Sequence, residues 1–162
     1  MESQKNYVMY LREMVGDSMI ILNAANVIVA NDKNEILLQQ RSDSGLWGLP
    51  GGLMEIEDTI ESCAVREAKE ELGIDVELTG FVGIFTNPFM RWRVNDKAKV
   101  ICYSFTAKIV GGDIHINDDE SMGFGFFSLK NLPKIHAVDN MEAIQAYYAG
   151  KRNVIEGRNY ND

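Results

Sequence analysis

A chain of 162 residues with 46% apolar and 25% charged side chains is long enough to bury one substantial core and has the make-up of an ordinary globule. Its 24 acidic against 16 basic residues leave a net charge of −8, which argues against a general nucleic-acid or membrane-surface binder. Two cysteines, Cys63 and Cys102, make neither a disulfide framework nor a zinc pattern. Cys63 falls on the core face of a helix pattern and Cys102 inside an apolar strand, so both read as buried free thiols of a reducing compartment. Residues 1–15 carry charges and no long apolar run, and no segment reaches the ~18 apolar residues of a membrane span. One cytoplasmic domain over 1–162 is therefore expected.

Tyr7, Leu11, Met14 and Val15 recur at helical spacing and Gly16 is a stop, so residues 1–17 read as a helix or ordered arm. Its apolar face has two candidate partners, the domain itself or a second subunit. Met19 to Ala30 is a buried-strand pattern rich in Ile, Val and Ala. Asn31 to Asn34 is a turn, and Ile36 to Arg41 reads as the return strand of a hairpin. Ser42 to Gly52 is a glycine-rich loop in which Trp47 is expected to plug one end of the core.

The next stretch predicts a helix with acids on the wrong side. Asp58 is a short acid followed three residues later by Glu61, a capping-box pattern, and Gly73 is the stop. At 100° per residue, Ile60, Cys63 and Ala64 form the core face. Along the same face come Glu67, Glu70 and Glu71, at spacing i, i+3, i+4. Like charges so placed repel, and they sit where the helix dipole is already negative. Clustered carboxylates that extend an apolar stripe fit a hard divalent cation, Mg²⁺ or Mn²⁺. The plainer alternative is a solvated acidic face.

Val76 to Thr86 is a strand run in which Gly80 and Gly83 mark bulges, and Asn87-Pro88 breaks it. Arg91, Trp92 and Arg93 lead to a polar hairpin tip at Asn95-Asp96-Lys97. Guanidinium groups beside an aromatic plane suit phosphate and a stacked base. Val100 to Val110 is a strand, Asp113 to Glu120 an acidic loop, and Phe124, Phe126 and Phe127 a last strand. Asp139 to Glu142 repeats the capping-box pattern and opens a helix ending near Gly150; Lys151 to Asp162 reads as a frayed polar tail. Strands before and after a central helix, with a second helix at the end, suggest a mixed β-sheet between helices.

Gly52, Asp58 and the run Arg66-Glu67-Ala68-Lys69-Glu70-Glu71-Leu72-Gly73-Ile74 together resemble the signature of the Nudix (MutT-like) hydrolases. Gly48-Leu49-Pro50-Gly51-Gly52 and Glu55 match the usual lead-in, and the wider likeness covers roughly residues 20 to 133. Asp58 departs from the family's Glu, and Ala68 stands where a larger aliphatic is common. The resemblance implies an α/β/α sandwich. It implies metal-dependent hydrolysis of a nucleoside diphosphate linked to another moiety, with ADP-ribose or a nucleotide sugar first. Nucleoside triphosphates, oxidised ones included, come second, and a non-catalytic nucleotide-binding module is the alternative outside enzymes. Carried over residue by residue, Gly52 (through its carbonyl), Glu67, Glu70 and Glu71 are the metal ligands for Mg²⁺ or Mn²⁺. Glu67 is the candidate base, and Arg66 orients a helix glutamate. Many relatives carry a further acid before the last core strand, and Gly123 aligns there, so Glu120, Asp119 or Asp118 is the substitute, with Glu120 preferred. Arg41, Arg91 and Trp92 are the substrate-binding candidates. A small nucleotide derivative is the expected partner, with neither nucleic acid nor membrane, and a homodimer is left open.

Overall fold

Two-residue alternation along the first long strand sends its side chains into different cores, and the architecture follows from that. The computed structural model describes residues 6–93, 96–156 and 158–160, with the backbone alone at 91–93, 96 and 159. In chain order the elements are α1 (Tyr7–Val15), β1 (Ile20–Val29), β2 (Ile36–Arg41), β3 (Trp47–Gly48) and β4 (Gly51–Leu53). Then come α2 (Ile60–Leu72), β5 (Asp75–Arg93), β6 (Asp96–Gly111), β7 (Ser121–Phe127), a 3₁₀ turn (Leu129–Asn131), α3 (Val138–Tyr148), β8 (Val154–Ile155) and β9 (Arg158–Asn159). The strands form a mixed six-stranded sheet, β4-β1-β6-β5-β8-β9, and a three-stranded sheet, β3-β2-β7. β1 runs parallel to β6 and antiparallel to β4.

On β1, Ala25, Val27 and Val29 pack with Cys63, Ala64, Ala68 and Leu72 of α2. Their neighbours point the other way. Ile28 packs with Ala143 and Ile144 of α3, and Leu22 and Ala24 pack with Val8 of α1. The sheet is thus covered by α2 on one face and by α1 and α3 on the other, the expected α/β/α sandwich. Trp47 closes one end of the α3-side core, edge-on to Phe127 with ring centroids 4.9 Å apart. Cys63 and Cys102 are buried and unpaired. Among the described residues no helix is long and apolar enough to cross a membrane.

Three expectations are corrected. The turn at residues 31–34 closes, with Asn31 N–H donating to the Glu35 carbonyl (2.9 Å), but β1 and β2 do not form a hairpin. Beyond a single bridge at Ala30 and Ile36 they diverge into separate sheets. Both strands are apolar on both faces, so each has a layer to bury on either side. Pro88 does not end β5; the register shifts between Asn87 and Met90 and the strand continues. The bulges at Gly80 and Gly83 are present as further register shifts. The tail is not frayed where it is described, because Val154 and Ile155 pair with Gly83 and Ile84 of β5 and Val154 is fully buried. As for α1, it rests on this chain through Val8 and Leu11, and the Tyr7 N–H donates to the Glu55 carboxylate at 2.9 Å, while Met14 and Val15 of the expected apolar face are exposed.

Candidate active site

α2 is held at its start by a reciprocal box between Thr59 and Ser62, not by Asp58. The Ser62 N–H donates to Thr59 Oγ1 (3.0 Å) and the Thr59 N–H donates to Ser62 Oγ (2.9 Å). Asp58 is drawn away by Arg66, two turns along the helix. The guanidinium donates from Nη2 to Asp58 Oδ2 (2.6 Å), from Nη1 to Glu67 and Glu70 (2.9 Å each), and from Nη2 to the Leu53 carbonyl (3.2 Å). The Glu55 N–H adds a bond to Asp58 at 2.9 Å. The Arg66 hydrogen bond holds Asp58 below the usual carboxylate range. One planar cation so fixes three acids in a forked geometry that a lysine lacks.

The three helix glutamates are not equally covered. Glu71 is 5% exposed, whereas the Glu67 and Glu70 side chains are 14% and 57% exposed. Glu70 therefore reaches into solvent and touches the site through Arg66. The cover comes from β4 and from the loop between β6 and β7. Gly51 N–H donates to Glu71 Oε2 (2.9 Å). A Cβ on Gly52 would lie 2.6 Å from the Glu67 carboxyl carbon, so any side chain there would displace that carboxylate. Along the loop, the N–H groups of His115 and Asn117 cap the carbonyls of Leu72 and Glu71 (3.0 Å each). That path delivers Asp118 and Glu120, whose carboxylate oxygens lie with one of Glu71 within 4.8 Å of one another.

Burial pushes Glu67 up to about 7; Arg66 opposes the shift and Glu70 adds to it. Burial also drives Glu71 well above the usual range, aided by Glu67 and opposed by the Gly51 N–H and the Gln39 side chain. Oxygen-only, ionisable donors from α2 and the facing loop fit a divalent hard cation. The Gly52 carbonyl, a further expected ligand, accepts the Cys63 thiol at 3.5 Å. Burial pushes that thiol up to about 12, so it stays protonated.

On the α3 side of β4 lies a cleft of about 80 Å³ whose lining includes Asn26, Arg41, Leu49, Cys102, His136 and Asp139. α3 begins two residues earlier than its sequence pattern suggests. Ala137 is the cap residue, no side chain caps the helix, and Asp139 and Asn140 turn inward, 2% and 6% exposed. Asn140 Oδ1 accepts the Leu49 N–H (2.8 Å), and Asn26 Nδ2 donates to Cys102 Sγ (3.2 Å). Asn26 Oδ1, Ser104 Oγ and Asp139 Oδ1 have no hydrogen-bond partner among the described residues. Burial raises Asp139 and lowers His136 to about 4, with Arg41 lowering His136 further. Arg41 is itself held by Asp43 through two hydrogen bonds (3.1 and 2.8 Å).

The NUDIX domain family matches residues 21–147. This chain belongs to the Nudix family. It is 33% identical over 150 residues to an ADP-ribose pyrophosphatase of Methanocaldococcus jannaschii, covering 91% of this chain and 80% of that one. Among solved structures it is similar to an ADP-ribose pyrophosphatase of Streptococcus suis, with TM-score 0.65, 27% identity, and 83% of this chain and 96% of that one covered. A MutT protein of Methanosarcina mazei Go1, with TM-score 0.67 and 22% identity over 83% of this chain and 99% of that one, shares the fold.

Within this Nudix domain, Arg66, Glu67, Glu70, Glu71, Gly52 and Glu120 gather around the end of α2, and Arg41 lines the adjoining cleft. The side chains of Arg91 and Trp92 lie outside the described residues. Gly123 pairs with Gln40, and a Cβ there would meet the Gln40 side chain at 3.4 Å. Gln40 and Gln39 alternate on β2, so an acid at 123 would point away from Glu71, whereas Glu120 lies with it. Sequence reading did not single out Gln39, His136, Asp139 and Asn140. The available signal was polar side chains inside strand and helix-start patterns that otherwise read as core or cap.

Proposed function

We propose that this Nudix hydrolase splits the diphosphate bridge of a nucleoside diphosphate linked to a second group, with ADP-ribose or a nucleotide sugar as the substrate class. The observation that carries this reading is the meeting of Glu71, Asp118 and Glu120 beside the Arg66-braced Glu67. Bound Mg²⁺ or Mn²⁺ at those carboxylates offsets the charge of the diphosphate and orients its oxygens. Glu67 takes a proton from the attacking water, a task suited to a carboxylate whose proton affinity sits near neutrality. The water oxygen bonds to phosphorus, the bridging P–O bond breaks, and two monophosphates leave. Arg66 keeps Glu67 in place, and Arg41 offers its charge to the phosphates at the mouth of the cleft.

The cleft takes the organic end of the substrate. Asn26 Oδ1 accepts only, and Asp139 Oδ1 accepts when ionised, so sugar hydroxyls or ring N–H groups supply the donors these oxygens lack. The relationship to ADP-ribose pyrophosphatases supports the substrate class. A product analysis with Mg²⁺ or Mn²⁺ over ADP-ribose, nucleotide sugars and nucleoside triphosphates tests it. ADP-ribose should yield AMP and ribose 5-phosphate. Preferential release of pyrophosphate from triphosphates would overturn the substrate assignment.

A further inference from the structure

The turn after β2 places a carboxylate where a diphosphate has to be attracted. Arg41 lines the cleft, and Asp43 grips its guanidinium through two bonds, from Nε to Oδ1 (3.1 Å) and from Nη2 to Oδ2 (2.8 Å). That fork uses one edge of the guanidinium. Nη1 and the second hydrogen of Nη2 make no hydrogen bond among the described residues, so a second fork is open to two phosphate oxygens. The turn itself is fixed. Arg41 N–H donates to the Leu46 carbonyl and Gly45 N–H to the Arg41 carbonyl (2.8 Å each), and Gln40 Nε2 donates to the Gly45 carbonyl at 2.9 Å. Ser42 N–H donates to the Glu120 carbonyl and Ser42 Oγ to the Asp119 carbonyl, 2.8 Å each. The turn that carries Asp43 is therefore braced against the loop that carries the site's acids. With side chains 33% and 54% exposed, the Arg41–Asp43 pair contributes little to folding. Its carboxylate also cancels charge that would draw phosphate in. What it supplies is orientation: an arginine already held in one rotamer has less freedom left to lose when phosphate binds.

We propose that Asp43 is a positioning residue that holds Arg41 so that the open edge of the guanidinium receives a phosphate of the substrate. The inference rests on the diphosphate reading above. Its test is steady-state kinetics of the full chain on ADP-ribose with Mg²⁺, with Tm measured alongside. Asp43→Ala should raise KM by about 5- to 10-fold with kcat within about twofold, the pattern of an interaction made in ground and transition state alike. Its Tm should stay close to the parent's, because the pair is exposed. Asp43→Asn keeps the shape and one acceptor oxygen, so its KM should fall between those of the parent and Asp43→Ala. Arg41→Ala should raise KM at least as much as Asp43→Ala, and adding Asp43→Ala to it should cost nothing more, because the carboxylate acts through the guanidinium. An unchanged KM in Asp43→Ala overturns the inference. A lowered KM also overturns it, and marks Asp43 as a repelling charge. Losses that multiply in the double variant, or no recovery in Asp43→Asn, overturn it too. Arg41→Ala separates the two readings. If it leaves KM unchanged, phosphate does not meet Arg41, and that part of the functional reading fails together with the inference. If Arg41→Ala raises KM while Asp43→Ala does not, only the positioning role fails. Should the chain cleave nucleoside triphosphates and not ADP-ribose, the substrate assignment fails, and the same variants compared on the triphosphate decide the role of Asp43.

Discussion

The two polar regions on either side of β4 differ in how their buried groups are satisfied. On the α2 side four acids are engaged: Asp58, Glu67 and Glu70 by Arg66, and Glu71 by Gly51. On the α3 side Asn26, Ser104 and Asp139 each keep a buried atom without a hydrogen-bond partner among the described residues. Buried polar groups without partners cost stability, and a ligand that supplies the missing bonds recovers it. The first region is a preorganised chemical centre whose geometry is set before substrate arrives. Under the proposed function, the second offers its hydrogen-bonding capacity to the organic end of the substrate.

The contrast breaks first at Glu67. Glu67→Gln should lower turnover by roughly 10²- to 10⁴-fold with an unchanged circular dichroism spectrum, as loss of a proton acceptor does. Glu70→Gln should cost less, because that side chain is 57% exposed and touches the site through Arg66. A larger loss at Glu70 than at Glu67 would reverse the assignment of their roles.

The second break is in stability against pH, where Glu67 and His136 act with opposite signs. Folded Glu67, at about 7 against an ordinary 4.5, keeps its proton where the unfolded chain has lost it. The folded state then binds more protons, so stability falls as pH rises from about 4.5 to about 7 and stays lower above that. The difference amounts to roughly 3 kcal/mol in the metal-free protein. His136, at about 4 against 6.5, runs the other way: the unfolded state binds more protons between those values, and stability rises with pH. Thermal melts of the metal-free protein should show the Tm of Glu67→Gln gaining on the parent between pH 4.5 and 7. Added Mn²⁺ should reduce that gap. A gap that does not change with pH would show that burial does not raise Glu67.

Smaller effects sharpen the comparison. Arg66→Lys keeps the charge and loses the fork, and should cost about 10- to 100-fold in kcat/KM through misplaced Glu67. Activity within about twofold of the parent would reduce Arg66 to an ordinary surface pair. In the cleft, Asp139→Ala should raise KM by about tenfold with kcat little changed, the worth of roughly one hydrogen bond made in ground and transition state alike. An equal fall in kcat would move Asp139 from binding into the chemistry.

What the amino-acid order determined by itself is local. Glu67, Glu70 and Glu71 share a face, Arg66 reaches Glu70 one turn on, and Gly73 stops the helix, because helical geometry converts spacing directly into position. The Ile-, Val- and Ala-rich run of β1 likewise pointed to a buried strand. Tertiary structure decided the rest. It set the separation of β1 from β2, the exposure of Glu70, the use of Asp58 as an arginine anchor, and the choice of Glu120 over position 123. It also turned Asp139 from an expected cap, with Asn140 beside it, into a cleft wall. Each of these depends on where a segment tens of residues away passes, and spacing carries no record of that path. The pairing register of β2 with β7 and the loop tethered to the end of α2 supply it.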